Sequence, residues 1–231
     1  MPPTHPRALT IYARPPELGR VKTRLQPDLT PRQSLELYEA MLADVLERTL
    51  RAAEGSCDVF VSFSGDCAAG GELGALLASA RVEYQMGDDL GERMSHTIQT
   101  RLSEGYARVV LIGSDSPNLP LDYLDQAFEA LAAVDVVIGP ADDGGYYLIG
   151  ARRLHPRLFQ RMPWGTGRVM EQTRERMASG RVTCHELPRW YDVDTMVFVE
   201  RLWNDLRSRH AAGDDELPAR TYRWLAALRT P

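Results

Sequence analysis

Five aspartates follow predicted strands, in positions where they could bind a metal ion. They are Asp115, Asp142, Asp143, Asp192 and Asp194. Open α/β sheets bind their ligands at the carboxyl ends of the strands, so these carboxylates are expected to meet at one sheet edge. Short carboxylate side chains suit Mg²⁺ or Mn²⁺, and such an ion leaves coordination positions for substrate phosphates. The pattern therefore predicts a site for a metal ion and a phosphorylated substrate.

The stretch around Asp115 is the one on which this sheet edge is expected to centre. Residues 109–112 are apolar and mostly β-branched, which predicts a strand buried on both faces. Gly113 permits a turn, and Pro117 prevents the strand from pairing further. The same residues allow a second interpretation, in which Asp115 only caps a helix that begins near Leu121.

The loop after the first predicted strand carries positive charges that could complement those carboxylates. Two prolines and Gly19 prevent regular structure there, and the loop contains four cations, Arg14, Arg20, Lys22 and Arg24. Such a loop can bind a polyphosphate through backbone N–H groups and side-chain charge, although it could also be a solvated basic loop. Lys22 is the only lysine among the 27 basic residues, and its compact ammonium favours a specific role. We expect an exposed Lys22 that contacts phosphate.

Two further side chains are candidates for ligand contact. Arg93 lies in the first turn of a predicted helix, where a cation opposes the helix dipole unless an anion is near. Trp164 either belongs to the core or stacks on a sugar or a base. The Asp-Gly-Gly sequence at 143–145 predicts a hairpin turn, which explains the glycines but not the two adjacent carboxylates.

These residues are positioned by alternating strands and helices. Strands are predicted at 8–13, 57–63, 81–85, 109–112, 135–140, 146–150 and 182–187. Helices are predicted at 30–53, 71–80, 92–104, 121–133, 168–179 and 218–229, with another that Thr195 caps and that ends near His210. The alternation predicts an α/β domain with a mostly parallel, mixed sheet. The 231 residues suit one domain over 1–231, with a C-terminal helical tail at 214–231 that packs on it.

Composition excludes several classes of protein. The net charge of −5 does not suit a nucleic-acid-binding protein, and no apolar run approaches the ~20 residues of a membrane span. Residues 1–7 lack the apolar core of a signal peptide, and the three cysteines have no metal-type spacing. We therefore expect a cytoplasmic protein. No nucleophile elbow, Walker A loop or dinucleotide fingerprint is present, so hydrolase, ATPase and dinucleotide-binding functions are disfavoured.

Five motifs in order resemble one known family. They are the basic loop at 14–25, Gly-Ser-Asp-Ser-Pro at 113–117, the acidic hairpin at 139–150, Trp-x-Thr at 164–166 and Asp-Val-Asp-Thr at 192–195. Together they resemble the DUF2064 family of proposed glycosyltransferases over about residues 8–205. That resemblance implies the GT-A, nucleotide-diphospho-sugar transferase fold, a three-layer α/β/α domain. The pattern is similar, more distantly, to the molybdenum-cofactor and 2-phospholactate guanylyltransferases.

The resemblance also implies roles for individual residues. In the distant relatives the aspartate after the central strand binds Mg²⁺, which implies Asp115 as the first metal ligand and Asp192 or Asp194 as its partner. Lys22 and Arg24 match the phosphate-contacting loop. The phosphate-binding set is thus expected to be Arg14, Gly19, Lys22, Arg24 and Arg93, and the substrate-binding set Asp142, Gly144, Gly145, Trp164 and Thr166. The family is expected to carry lysine in place of Arg14, a difference that keeps the charge.

The expected function is transfer of a sugar from a nucleotide-diphosphate donor to a small-molecule acceptor, with Mg²⁺ or Mn²⁺ as cofactor. Asp115 and Asp143 are the expected catalytic residues, Asp143 acting as general base or orienting the sugar. A nucleotidyltransferase that joins a nucleoside triphosphate to a small phosphorylated substrate is the alternative. The glycine-rich first loop of those enzymes is absent, which favours sugar transfer. A catalytically silent nucleotide-binding protein is a third interpretation.

Overall fold

The computed structural model of the chain describes residues 3–229, in which strands and helices alternate as the sequence predicts. The strands are β1 (Arg7–Ala13), β2 (Asp58–Phe63), β3 (Arg81–Tyr84), β4 (Arg108–Gly113), β5 (Val136–Pro140), β6 (Tyr146–Ala151) and β7 (Cys184–Glu186). The helices are α1 (Pro31–Ala53), α2 (Gly71–Leu77), α3 (Leu90–Ser103), α4 (Asp122–Ala130), α5 (Val169–Gly180), α6 (Met196–Ala211) and α7 (Ala219–Leu228). The α/β class is confirmed. Residues 230 and 231 of the expected tail lie outside the described part of the chain.

The strands form one mixed sheet in the order β3-β2-β1-β4-β6-β5-β7. Strand β6 is antiparallel to both of its neighbours, β4 and β5, and the remaining pairs are parallel. The hairpin predicted at 139–150 is therefore confirmed. Because β6 runs backwards, the turn between β5 and β6 lies at the same edge as the carboxyl ends of β1 and β4.

Helices cover both faces of the sheet, as a three-layer arrangement requires. Side chains of α1, α2 and α4 pack on one face, and those of α3 and α5 pack on the other. Residues of β4 alternate between the two clusters, Val110 and Ile112 in one and Val109 and Leu111 in the other. This alternation confirms the prediction of a central strand buried on both faces. Helices α6 and α7 form a third apolar cluster against the opposite side of α1.

Local sequence sets the start of α1. The Thr30 side chain accepts a hydrogen bond from the backbone N–H of Gln33, whose side chain in turn accepts from the backbone N–H of Thr30. This capping box, followed by proline at the first helical position, satisfies two N–H groups that the helix leaves unpaired. The expected cap at Thr195 is wrong in one respect, because that side chain makes no capping hydrogen bond at α6. The strand expected at 182–187 is shorter, Cys184–Glu186.

Within the described residues, no helix has the length and apolar content needed to cross a membrane.

Candidate functional site

The loop after β4 and the segment after β7 meet at the carboxyl edge of the sheet. The backbone N–H of Val193 donates to the carbonyl of Asp115 at 2.9 Å. The Ser116 hydroxyl lies 2.8 Å from the carbonyl of Tyr191 and 2.9 Å from Oδ1 of Asp192, so it can donate to either oxygen. Since 75 or more residues separate these partners, the sheet rather than the local sequence brings the carboxylates together.

Lys22 lies between two of the predicted metal ligands. Its Nζ donates to Oδ1 of Asp115 at 2.5 Å, to Oδ1 of Asp194 at 3.1 Å and to the carbonyl of Val193 at 2.8 Å. All three ammonium protons are thus used within the protein. The prediction of an exposed lysine is wrong, because its side chain is only 3% exposed.

Opposing effects act on the protonation of Lys22. Burial lowers the pKa of the Lys22 ammonium, but the charges and hydrogen bonds of Asp115 and Asp194 outweigh it and raise the pKa above its ordinary value. Lys22 also has a left-handed backbone, with φ 48° and ψ 40°, directly before the 3₁₀ turn Thr23–Leu25. A non-glycine residue adopts this conformation only where the surroundings stabilise it.

Asp192 is the carboxylate with the most perturbed protonation. Burial, followed by the negative charges of Asp115, Asp143 and Asp194, raises its pKa to about 7, while the hydrogen bond from Ser116 opposes that rise. The effect of these neighbouring charges indicates that the three carboxylates expected to bind metal, together with Asp143, act on one another electrostatically.

The acidic turn after β5 uses its two carboxylates differently. Asp142 accepts from Nη1 of Arg201 at 2.8 Å, so this residue, expected to contact substrate, already has a partner in α6. Asp143 is exposed, and its Oδ1 accepts from the backbone N–H of Gly145 at 2.8 Å. Gly144 has φ +86°, and a Cβ there would lie 2.3 Å from the carbonyl oxygen of Gly167. The turn thus requires the glycine, and Asp143 is left facing solvent.

The three arginines of the basic loop are exposed. Arg14, Gly19 and Arg24 are exposed, and Nη1 of Arg24 lies 3.8 Å from Oδ2 of Asp194. Gly19 has φ +77°, a backbone conformation that favours glycine. The hydroxyl of Tyr38 accepts from the backbone N–H of Arg14 and donates to its carbonyl, both at 2.8 Å. The backbone at the start of the loop is therefore fixed. The guanidinium groups of Arg14 and Arg24 lie at the surface, where they can meet an anion, whereas Nη1 of Arg20 pairs with Oε2 of Glu17 at 2.8 Å.

The remaining expected contact residues lie around the start of α3 and α5. Nε of Arg93 donates to the carbonyl of Gly87 at 3.0 Å, and the Thr166 hydroxyl donates to the carbonyl of Pro163 at 2.8 Å. The ring of Trp164 packs edge-on against Tyr146 and contributes to the cluster on the α3 face. Its buried Nε1 has no hydrogen-bond partner among the described residues. The structure therefore gives Arg93, Thr166 and Trp164 local structural contacts.

Sequence reasoning did not identify the residues that support the carboxylates. Arg48 of α1 donates from Nη1 to the carbonyl of Pro117 at 2.5 Å and from Nη2 to that of Leu119 at 3.1 Å. Its position among the apolar residues of α1 is a signal that could have marked it as buried. Arg201 stacks 3.9 Å above the ring of Tyr191, but no local pattern links α6 to that ring.

The donor set suits a hard divalent cation. Asp115 and Asp194 are each a little more than one-third exposed and offer carboxylate oxygens, the ligands that Mg²⁺ and Mn²⁺ prefer. Among residues 3–229, no three His, Cys, Asp or Glu side chains are already arranged as a set of metal ligands. The ammonium of Lys22 contacts both carboxylates instead. Asp115 also makes no cap, because α4 begins at Asp122 with Leu121 before it.

The chain matches known proteins in both sequence and structure. Residues 45–166 match the model of a family described as an uncharacterized protein conserved in bacteria, DUF2064. A solved structure described as a putative nucleotide-diphospho-sugar transferase from Desulfovibrio desulfuricans G20 is 33% identical. That match covers 97% of this chain and 95% of the other, with a TM-score of 0.82. No curated protein matches the chain.

Two more distant structures share the fold. CMP:2-keto-3-deoxy-manno-octonic acid synthetase, solved with CTP, is 12% identical with a TM-score of 0.54, and the match covers 88% of this chain and 99% of that one. A nucleotidyl transferase from Methanothermobacter thermautotroptrophicus is 15% identical with a TM-score of 0.52, over 87% and 98% of the two chains. The match to the family model over more than half of the chain, and the 33% identical structure over nearly all of it, establish that this protein belongs to the DUF2064 family.

Proposed function

We propose that the protein is a transferase that binds a nucleotide-diphosphate sugar together with Mg²⁺ or Mn²⁺ and transfers the sugar to a small-molecule acceptor. The observation that carries the proposal is the meeting of Asp115, Asp192 and Asp194 beside a loop of exposed arginines at the carboxyl edge of the sheet. Carboxylates for a metal and cations for phosphates are the two parts that a metal–diphosphate complex requires. The 33% identical relative, described as a putative nucleotide-diphospho-sugar transferase, supports the same substrate class.

Each part of the site has a role in this proposal. Asp115 and Asp194, with Asp192 beside them, hold the divalent cation, which when bound offsets the negative charge that develops on the departing diphosphate. The exposed guanidinium groups of Arg14 and Arg24 bind the phosphate oxygens by charge-assisted hydrogen bonds. These charge-assisted hydrogen bonds would stabilise the negative charge on the departing diphosphate.

Asp143 is the proposed catalytic carboxylate toward the acceptor. Asp143 is exposed and has no ion-pair partner among the described residues, its Oδ1 accepting only from the backbone N–H of Gly145, whereas its neighbour Asp142 is paired with Arg201. Within hydrogen-bond reach of an acceptor hydroxyl, a carboxylate that has no cationic partner can accept the proton as that oxygen attacks the sugar and the diphosphate leaves. This role of Asp143 is the same whether the configuration at the reacting sugar carbon is inverted or retained.

Transfer of a nucleotidyl group is the second candidate, favoured by the fold that the chain shares with a CMP-sugar synthetase and a nucleotidyl transferase. The products distinguish the two reactions. Sugar transfer releases a nucleoside diphosphate, whereas nucleotidyl transfer from a triphosphate releases pyrophosphate.

The test begins with a thermal-shift screen of nucleotides and nucleotide sugars, with and without Mn²⁺, because a ligand that binds only the folded state raises its melting temperature. The best ligand is then titrated calorimetrically into the parent, Asp115→Asn and, as a matched control, Asp125→Asn, which removes an exposed carboxylate from α4. We expect Mn²⁺-dependent binding to be lost in Asp115→Asn alone. Unchanged Mn²⁺ dependence in that variant would show that the site is elsewhere.

A further inference from the structure

The lysine ammonium lies at a position that a metal ion bridging the two carboxylates would need. Nζ of Lys22 donates hydrogen bonds to Oδ1 of Asp115 and Oδ1 of Asp194 at the same time. A divalent cation that binds both of these oxygens cannot do so while the ammonium remains between them. Since the Lys22 side chain is only 3% exposed, release of the ammonium to solvent requires its side chain or its loop to move.

The loop is built so that this movement is feasible. Lys22 adopts left-handed backbone angles, which are unfavourable at a non-glycine residue and which its ammonium contacts can offset. Leu18, Gly19 and Arg20 are exposed, whereas Val21, directly before Lys22, is buried, so the movement is confined to the segment around Gly19 and to Lys22 itself. Loss of the contacts to Asp115 and Asp194 therefore favours a change in the backbone at Lys22, and that change would carry the ammonium outward.

We infer that Lys22 is a built-in counter-ion for the carboxylates, which a divalent cation displaces and which then binds the phosphate of the incoming ligand. The inference rests on the proposed function. In the metal-free protein the ammonium offsets the repulsion between Asp115 and Asp194. When the metal binds, the ammonium moves from the carboxylates to a phosphate oxygen. The metal ion alone consequently binds weakly, and the metal and the phosphate bind tightly together.

Arg24 provides a matched comparison in the same loop. Its side chain is 68% exposed, and its Nη1 lies 3.8 Å from Oδ2 of Asp194, outside ordinary hydrogen-bond distance. Removal of Arg24 deletes the same charge as removal of Lys22 but frees no carboxylate oxygen. A difference between the two variants thus reports on displacement rather than on net charge.

The first experiment is calorimetric titration of Mn²⁺, without nucleotide, into the parent, Lys22→Met, Arg24→Met and Asp115→Asn. We expect Lys22→Met to bind Mn²⁺ about 10- to 100-fold more tightly than the parent, the effect typical of one charge-assisted hydrogen bond. Arg24→Met should differ from the parent by less than about threefold, and Asp115→Asn should lose binding. Circular dichroism establishes that each variant is folded.

The second experiment needs no variant, because Lys22 is the only lysine in the chain. Acetylation by an N-hydroxysuccinimide ester is followed at Lys22 by mass spectrometry, with the α-amino group as internal reference. We expect slow modification of the metal-free protein, at least a threefold rise with Mg²⁺, and a fall when pyrophosphate is added with Mg²⁺. If Lys22→Met does not fold, the acetylation experiment by itself tests whether a metal ion displaces the Lys22 ammonium.

Two failures are distinguishable. In the first, Mn²⁺ binding requires Asp115, but Lys22→Met binds Mn²⁺ no more tightly than the parent and Mg²⁺ leaves the acetylation rate of Lys22 unchanged. The inference that the metal displaces Lys22 is then wrong, and the proposed metal site is retained. In the second, Asp115→Asn binds Mn²⁺ like the parent. The proposed metal site is then wrong, and so is the inference that a metal displaces Lys22.

Discussion

Replacement of Asp192 by asparagine should stabilise the metal-free protein at and above neutral pH. Burial and the charges of Asp115, Asp143 and Asp194 raise the pKa of Asp192 from 3.8 to about 7. The folded protein therefore binds a proton there that the unfolded chain has already released between about pH 4 and pH 7. Asparagine keeps an oxygen that can accept from Ser116 but carries no charge to bury.

The sign and size of the effect follow from proton linkage. Where the folded state holds more protons than the unfolded state, the free energy of unfolding falls as pH rises. For one group the slope is about 1.4 kcal/mol per pH unit, so ionised Asp192 costs about 4 kcal/mol across the interval. Asp192→Asn should equal the parent near pH 4 and exceed its stability by about 4 kcal/mol at pH 8.

The assay is urea unfolding at several values between pH 4 and pH 8, in the presence of a chelator. Asp125→Asn, on the exposed side of α4, is the control and should differ from the parent by less than about 0.5 kcal/mol. If Asp192→Asn is less stable than the parent at pH 8, or if the difference is independent of pH, the electrostatic account of the carboxylates is refuted.

Three other predictions concern the support of the site, its packing and its chemistry. Arg48→Met should lower the free energy of unfolding in urea by about 3 kcal/mol, since two loop carbonyls lose charged donors, whereas exposed Arg51→Met should cost less than about 1 kcal/mol. Gly91→Ala should lower the melting temperature by at least about 3 °C, because its Cβ would lie 2.3 Å from the carbonyl oxygen of Phe159. Asp143→Ala should keep nucleotide affinity in calorimetry but reduce turnover about 100-fold or more with the donor found by screening.

Each of these has a clear contrary result. Equal stabilities for the two arginine variants would mean that the buried guanidinium does not support the loop after β4. A melting temperature unchanged by the added methyl group would mean that the start of α3 can shift to make room. Unchanged turnover in the aspartate variant would assign the acidic turn to binding alone.

The strands and the acidic hairpin could be predicted because short stretches of sequence determine them. Residues 109–112 have apolar character on both faces, and Asp-Gly-Gly specifies a hairpin, so the sheet edge with Asp115 and Asp143 followed from short stretches. Alternation with helices then predicted the layers. The strand that β7 forms is short because only Cys184–Glu186 pair with β5, a matter of tertiary register that residue type does not indicate.

The orientation of Lys22 could not be predicted, for the opposite reason. Its partners Asp115 and Asp194 lie 93 and 172 residues away, and the left-handed backbone at a lysine has no local signal. Positive charge among prolines indicated an exposed loop, but two carboxylates attract the ammonium inward. The ion pair of Asp142 with Arg201 could not be predicted either, because the two residues are 59 positions apart in the sequence.

The reversed direction of β6 also bears on how the chain assembles. Strands β5 and β6 are joined by a tight turn, so this hairpin can form from local contacts within microseconds, long before distant segments meet. The carboxylate of Asp192, by contrast, reaches its place only when the segment after β7 docks across the loop that follows β4. The contact between Ser116 and Tyr191 closes a loop of 75 residues, which costs more conformational entropy than the tight turn of the hairpin. We therefore expect the hairpin with the acidic turn to form early, and the proposed metal site to be completed only when the segment after β7 docks.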